Sequence, residues 1–147
     1  MKTKNLLFAA VVAVFISCGS FSAFAQEEEA PHIFVIQTWT RNTGPDIDRA
    51  QADSLVRYYH ENVAMKNPKL LSSRTMSHFF TADSRDYVFI LEYKSLTDME
   101  AAFAIDDATE KKLWPDKKAR EPYDKMWSKF FNHHADAIFS EIKGTRK

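Results

Sequence analysis

The stretch Tyr87-Val88-Phe89-Ile90-Leu91-Glu92-Tyr93 determines the expected architecture, because it carries apolar side chains on both faces of an extended run. Aromatic and β-branched residues of this kind favour a β-strand. A strand that is apolar on both sides needs a cover on both sides of its sheet. In a chain of 147 residues, helices suffice for one face only. We therefore expect a second copy of the protein to cover the other.

The residues before this strand predict a strand, a helix and a second strand. His32 to Arg41 is rich in Ile, Val, Thr and aromatic residues, which is typical of a strand. Pro45 suits the first position of a helix that reaches about Lys66, before Asn67-Pro68 ends it. Leu70 to Phe80 then predicts a strand that pairs antiparallel with Tyr87 to Lys94. The polar residues 81–86 between these two strands predict a hairpin loop.

The residues after this hairpin predict a helix, a charged segment, another helix and a last strand. Thr97-Asp98-Met99-Glu100 has the spacing of a capping box, which opens a helix. Pro122 suits the start of another helix, whose apolar stripe extends from Tyr123 to His134. Alternation in Ala135 to Ile142 predicts the fourth strand. The charged segment 106–121 holds Leu113-Trp114-Pro115, which is either a lid over a pocket or an anchor for a surface loop.

The order strand, helix, strand, strand, helix, strand predicts an α+β ferredoxin-like fold, with a four-stranded antiparallel sheet and helices on one face. The chain resembles the dimeric α/β-barrel superfamily, and within it the NIPSNAP-like and stress-responsive barrel groups. The resemblance rests on three stretches, which are His32 to Val35, Tyr87 to Tyr93 and Phe130 to Phe139. It implies a homodimer. Such barrels include cofactor-independent monooxygenases, haem-handling enzymes and proteins with no known reaction, and no catalytic residue carries over by position.

The first residues resemble an export signal. Lys2 and Lys4 precede the apolar run Leu6 to Ile16, and Ala23-Phe24-Ala25 offers small residues at a signal peptidase site. We expect a signal peptide at 1–25, a disordered lead-in at 26–31 and a barrel domain at 32–143, in a periplasmic or secreted protein. The alternative is a lipoprotein anchored through Cys18, the only cysteine.

Composition excludes several classes of partner. Twenty basic residues balance twenty acidic ones, which leaves no surplus of positive charge for a nucleic acid. The sequence has three glycines and no glycine-rich phosphate loop. No segment after the leader is long and apolar enough to predict a transmembrane helix.

Candidate site residues follow from polar groups within apolar stripes. His134 lies in the aromatic stripe, where burial would favour a neutral imidazole that can accept a proton. His134 and His78 are therefore the candidate catalytic residues, whereas His60 falls on the charged face of the first helix and is expected at the surface. The candidate substrate-binding residues are aromatic walls and orienting polar groups, namely Trp39, Tyr58, Asn62, Arg74, Tyr93 and Trp127.

These residues predict a pocket for a small, mostly apolar or aromatic molecule. Any reaction in it would be oxidative or isomerising. No cofactor and no metal site is expected, although haem remains an option. The alternative function is that of a non-catalytic envelope protein that acts through dimerisation or contact with a partner.

Overall fold

The computed structural model describes residues 30–80 and 83–146. The expected signal peptide, the Cys18 alternative and most of the 26–31 lead-in lie outside the described residues. The helices and strands are, in chain order, β1 (Ile33–Arg41), α1 (Arg49–Asn62), a 3₁₀ turn (Ala64–Lys66), β2 (Leu70–Ser77), β3 (Asp86–Tyr93), α2 (Leu96–Leu113), α3 (Lys117–Phe130) and β4 (Phe131–Ser140).

The four strands form one antiparallel sheet in the order β2-β3-β1-β4. In its central pair, Val35 of β1 lies opposite Leu91 of β3, and on its other side Val35 lies opposite Ile138 of β4. The predicted ferredoxin-like fold is confirmed, with an additional helix, α3, between α2 and the last strand.

The core lies between this sheet and the helices, in two clusters at opposite ends of the strands. Their fully buried side chains include Tyr93 at one end and Phe130 at the other, which are 1% and 0% exposed. Burial of a large apolar side chain contributes about 1.5–3 kcal/mol. One cluster consists of Val35, Tyr93, Met99 and Ala102, and the other of Ala52, Val56, Tyr87, Phe130 and Phe131.

Helices α1 and α2 begin at residues other than those predicted. The Asp48 carboxylate accepts a hydrogen bond of 2.8 Å from the backbone N–H of Ala50, so α1 starts at Arg49 and not at Pro45. At α2, Ser95 Oγ accepts a bond of 3.1 Å from the N–H of Asp98. The cap therefore precedes the predicted box by two residues. In both cases a side chain satisfies an amide that has no partner within the helix.

The charged segment 106–121 is mostly helical, which the sequence did not indicate. α2 continues to Leu113, and Asp116 caps α3 by accepting a bond of 2.8 Å from the N–H of Ala119. Pro122 lies inside α3 and does not start it. Because proline has no backbone N–H, the helix lacks one hydrogen bond at this position. Pro115, between the two helices, marks the break.

The predicted helical stripe through His134 is wrong, because α3 ends at Phe130 and β4 starts at Phe131. Asn42, just beyond β1, donates hydrogen bonds to the carbonyl groups at the end of this helix. Its backbone N–H donates to the Phe130 carbonyl at 2.7 Å, and its side-chain amide donates to the Lys129 carbonyl at 2.9 Å. Pairing with β1 then draws the following residues into the sheet.

The helices cover only one face of the sheet. Residues with even numbers in β1 and β3, such as Ile36 and Ile90, point to the other face. At the edge, β4 is exposed on both sides, since Ile138 is 56% and Phe139 is 53% exposed. In residues 30–80 and 83–146, no helix has the length and apolar character needed to cross a membrane.

Candidate functional site

A cleft of about 490 Å³ lies between the sheet and the helices, in the space that the two core clusters leave between them. β1 and β3 supply its floor, and the helices supply its walls. The floor consists of Gln37, Trp39, Phe89, Leu91 and Tyr93. Ligand pockets have volumes of this order and the same mixture of apolar lining and few polar groups.

Aromatic rings from α3 form one wall of the cleft. Trp127 meets Trp39 edge to face, with ring centroids 5.0 Å apart, and also packs against Tyr123 at 5.9 Å. Trp114 lies behind Tyr123 at 4.6 Å and is 9% exposed. Because it is buried, Trp114 anchors the turn between α2 and α3 and is not a lid. Two of the three tryptophans of the chain, Trp39 and Trp127, therefore line this cleft, and Trp114 packs behind its wall.

Glu110 joins the three helices at the polar wall. The Tyr59 hydroxyl donates to Glu110 Oε1 at 2.6 Å, and the Arg120 guanidinium donates to Oε2. Arg120 also donates to Asp124 at 3.0 Å and lies over the Trp114 ring, 5.2 Å from its centroid. Burial, and then the bond to Glu110, raise the pKa of Tyr59 far above its ordinary value. Tyr59 is thus a permanent hydrogen-bond donor and not a base.

Asp106 is a second carboxylate of this wall. It accepts a bond of 2.8 Å from the side-chain amide of Asn67, which also donates to the Ala102 carbonyl at 2.9 Å. Burial raises the pKa of Asp106, Asn67 lowers it, and the neighbouring Glu110 raises it further. The net effect is upward, so the cleft disfavours the ionised form of Asp106.

Gln37 is the polar group on the floor. Its side-chain amide has no hydrogen-bond partner among the described residues, although Trp39 and Phe89 flank it. Gln37 is half-buried and its amide atoms still reach solvent in the open cleft, so they are available to a ligand with a carbonyl or hydroxyl group.

His60 lines the cleft as well, contrary to its predicted place on the solvent face of α1. Its Nδ1 lies 3.3 Å from Ser73 Oγ on β2. The charged residues of α1 predicted a face in contact with solvent, but β2 places hydroxyl groups against this face. A polar helix face can therefore contact the sheet here. Nothing in the sequence alone separates such a face from a solvated one.

The structure brings three of the six candidate substrate-binding residues into the cleft, Trp39, Tyr93 and Trp127. Burial raises the pKa of Tyr93 to about 12, so its phenol stays protonated.

The remaining three do not line the cleft. Tyr58 is 42% exposed and contacts Trp114 from outside. Asn62 donates to the Tyr58 carbonyl of its own helix at 2.9 Å. Arg74 is exposed and lies opposite Ile90, on the sheet face away from the helices.

The two candidate catalytic histidines also lie outside the lining. His78 follows β2, where its backbone N–H donates to the Asp86 carbonyl at 3.0 Å. His134 is a residue of β4, its side chain is 48% exposed, and Nε2 lies 3.6 Å from an Asp136 oxygen. The burial on which its predicted role depends is therefore missing. His134 nevertheless contacts the cleft indirectly, because its ring stacks on Trp39.

Within the described part of the chain, no three histidine, cysteine or acidic side chains are grouped as a metal ion would require. The polar groups of the cleft are carboxylates, one guanidinium, one imidazole, one amide, the Ser73 hydroxyl and tyrosine hydroxyls. They can hold a ligand by hydrogen bonds and aromatic contact, and His60 can exchange a proton with it.

The fold class is that of ferredoxin-like proteins, and solved structures share it. The sequence itself matches no protein-family model and no curated protein. SnoaB, a cofactor-independent oxygenase from Streptomyces nogalater, is similar with a TM-score of 0.50 and 12% identity, over 80% of this chain and 100% of that one.

Two further structures have the same fold. A NIPSNAP family protein of unknown function from Agrobacterium tumefaciens is similar with a TM-score of 0.51 and 11% identity, over 78% of this chain and 91% of that one. A dimeric ferredoxin-like protein of unknown function from Thermobifida fusca is similar with a TM-score of 0.50 and 10% identity, over 76% and 92%. The resemblance to barrels of the NIPSNAP type is thus confirmed at the level of fold.

Proposed function

We propose that this protein binds a small, flat, mostly apolar molecule in the cleft between sheet and helices. The observation that carries this proposal is a cleft of about 490 Å³ with aromatic side chains in its floor and wall and the amide of Gln37 beside them. Trp39 and Trp127 offer ring faces and edges to a flat ligand. Gln37 offers one donor group and one acceptor to a carbonyl or hydroxyl on that ligand.

The test is a titration followed by intrinsic fluorescence, which reports on the cleft because two of the three tryptophans line it and the third, Trp114, packs against Tyr123 of its wall. We expect 4-methylumbelliferone or 1,4-naphthoquinone to quench the emission saturably. Ala64→Phe, at the cleft, should weaken binding at least about tenfold, or about 1.4 kcal/mol. Ala108→Phe, exposed on α2 and outside the lining, is the matched control.

Binding that is equal in these two variants would refute the cleft as the site, as would the absence of saturable quenching in the unsubstituted protein. Circular dichroism of both variants shows whether each is folded. Haemin is a third probe, since a shifted Soret band that Ala64→Phe abolishes would assign the cleft to haem.

A second candidate function is proton transfer to or from the bound molecule, as an oxidative or isomerising reaction requires. The contact between His60 and Ser73 at the cleft favours it. His60, and not His134 or His78, is then the residue able to take a proton from the ligand. His60→Gln should abolish turnover of a ligand while its binding changes less than about threefold, and an equal loss of both would contradict this role.

We also propose that two copies pair through the open face of the sheet. No helix of residues 30–80 and 83–146 covers Ile36 and Ile90 on this face. Phe139 at the edge is 53% exposed. A contiguous apolar face of a sheet that the described helices leave uncovered is typical of an interface. The Thermobifida fusca protein of the same fold is itself described as dimeric.

Export is the remaining part of the proposal, and its support is the pattern of charge, apolar run and small residues in 1–25. The mature protein then begins at Gln26 in the periplasm or outside the cell. Intact-mass measurement of protein from the native host tests this, because an acylated N-terminal Cys18 or a retained leader would each contradict it.

A further inference from the structure

A second concave region lies beside the cleft, between α1 and β2. It is a groove of about 340 Å³, and His60 and Ser73 line both the groove and the cleft. The two spaces therefore adjoin at this pair of residues. At the junction His60 Nδ1 lies 3.3 Å from Ser73 Oγ, so a substituent that extends from the cleft into the groove takes the place of this contact.

The groove differs from the cleft in chemistry, because seven of its eight lining residues are polar or carry a hydroxyl group. β2 supplies hydroxyls at alternate positions on its helix-facing side, where β1 and β3 carry mostly apolar residues. Val56 is the apolar member, and the others are Asp53, Arg57, His60, Ser73, Thr75, Ser77 and Tyr87.

Several of these groups are open to a ligand. Neither the Arg57 guanidinium nor the Thr75 hydroxyl has a hydrogen-bond partner among the described residues. Asp53 accepts one bond, of 2.6 Å, from the Tyr87 hydroxyl at Oδ1, which leaves Oδ2 available. Burial, and then this bond, raise the pKa of Tyr87 to about 12, so its hydroxyl remains a donor.

The groove thus offers donors and acceptors side by side, and Asp53 and Arg57 in its lining have opposite charges. A second guanidinium, that of Arg49, lies at its edge, where it donates to the Ser77 hydroxyl at 2.8 Å. An anionic group attracted by Arg57 would also meet the Asp53 carboxylate. A neutral group with several hydroxyls can donate to Asp53 and accept from Arg57 and Thr75. The chemistry of the lining therefore favours a neutral polyhydroxyl over a phosphate or sulfate.

We propose that the groove between α1 and β2 is a second subsite, which binds a sugar-like, polyhydroxylated substituent of the molecule held in the aromatic cleft. This inference rests on the proposed function, because the cleft must bind the flat part of the same molecule. His60 and Ser73 lie at the junction, where the two parts of the ligand are joined.

The test compares 4-methylumbelliferone with its β-D-glucopyranoside by isothermal titration. The glucoside should bind about tenfold more tightly than the parent compound, which corresponds to about 1.4 kcal/mol. Thr75→Val and Arg57→Met should each remove most of this advantage and leave the affinity for 4-methylumbelliferone unchanged. Thr97→Val, exposed on α2, is the control and should retain the full advantage.

The outcomes separate the subsite from the cleft. If 4-methylumbelliferone binds and the glucoside binds no more tightly, the subsite is refuted and the cleft stands. If neither compound binds, both proposals fail. A glucoside advantage that survives in Thr75→Val and Arg57→Met refutes the assignment to this groove. If 4-methylumbelliferyl sulfate binds more tightly than the glucoside, the groove prefers an anionic substituent, and the proposal of a polyhydroxylated one is refuted.

Discussion

The imidazole of His134 stacks on the indole of Trp39, with ring centroids 4.3 Å apart and planes inclined by 15°. The two residues lie directly opposite each other on β4 and β1. Trp39 lines the cleft and His134 does not. We therefore propose that His134 affects a molecule in the cleft only through Trp39, as a positioning residue.

Replacement of His134 by Ala should weaken binding of 4-methylumbelliferone by about fivefold, because the Trp39 ring loses the neighbour that holds its orientation. An aromatic pair contributes about 0.5–1.5 kcal/mol, and His134 is half exposed, so we expect the free energy of unfolding to fall by no more than about 1 kcal/mol. Fluorescence titration and urea unfolding measure the two effects. His133→Ala, one residue earlier on the opposite face of β4, is the control and should leave binding unchanged.

Tyr59→Phe should lower the free energy of unfolding by about 1.5–3 kcal/mol, the usual contribution of a hydrogen bond to a charged group. The variant deprives Glu110 of the bond of 2.6 Å that joins α1 to α2. Tyr58→Phe is the matched control, since the Tyr58 hydroxyl has no partner among the described residues and the ring is 42% exposed. Equal effects of the two substitutions in urea unfolding would show that the Tyr59–Glu110 bond is unimportant.

Asp106→Asn should raise the melting temperature at pH 7. Burial raises the pKa of this carboxyl, so the folded protein carries a penalty whenever Asp106 is ionised. The asparagine has no charge and can still accept a bond from Asn67. The gain should shrink as the pH falls through the raised pKa of Asp106 and should be absent below the ordinary aspartate value of about 3.9, where both the folded and the unfolded state are protonated. Asp107→Asn, at an exposed position, should show no such gain in thermal melts between pH 3 and pH 7.

Gln37→Leu should weaken binding of 1,4-naphthoquinone by about fivefold or more and leave stability unchanged or increased. Leucine removes an amide that has no partner in the described protein, so folding loses no hydrogen bond, whereas a bound carbonyl loses its donor. Gln51→Leu, exposed on α1, is the control. If Gln37→Leu destabilises the protein and binds the quinone normally, the amide serves the fold and not the ligand.

Ile90→Glu should convert a dimer into a monomer, since it places a charge in the middle of the open sheet face. Sedimentation velocity of the unsubstituted protein should give twice the mass of one chain. Ile142→Glu, at a position that is 75% exposed beyond the last strand, should remain dimeric. A monomer in the unsubstituted protein at micromolar concentration would contradict pairing through this face.

The sequence predicted the sheet and the helices on one of its faces well, because the alternation of apolar residues shows which segments are strands and which side chains share a face. The position of β3 was predicted to within one residue at each end. Helix ends were predicted less well, because they depend on contacts that are remote in sequence. Asn42 ends α3 across 87 residues by its bond to Lys129, and no local pattern reveals that bond.

The walls of the site were predictable in part. Trp39, Tyr93 and Trp127 followed from aromatic stripes, and all three line the cleft. Tyr59, Glu110 and Arg120 were missed, since the last two lie in a segment whose charges resemble a solvated surface. Only the tertiary arrangement shows that Glu110 accepts bonds from two other helices.

The direct passage from Phe130 in α3 to Phe131 in β4 has a mechanical consequence. No loop separates the helix that carries Tyr123 and Trp127 from the outermost strand. A displacement of this helix should therefore also displace β4. We therefore expect a ligand in the cleft to reduce the motion of the edge strand β4. Hydrogen–deuterium exchange measures this effect as slower deuterium uptake by the β4 amides when a probe binds.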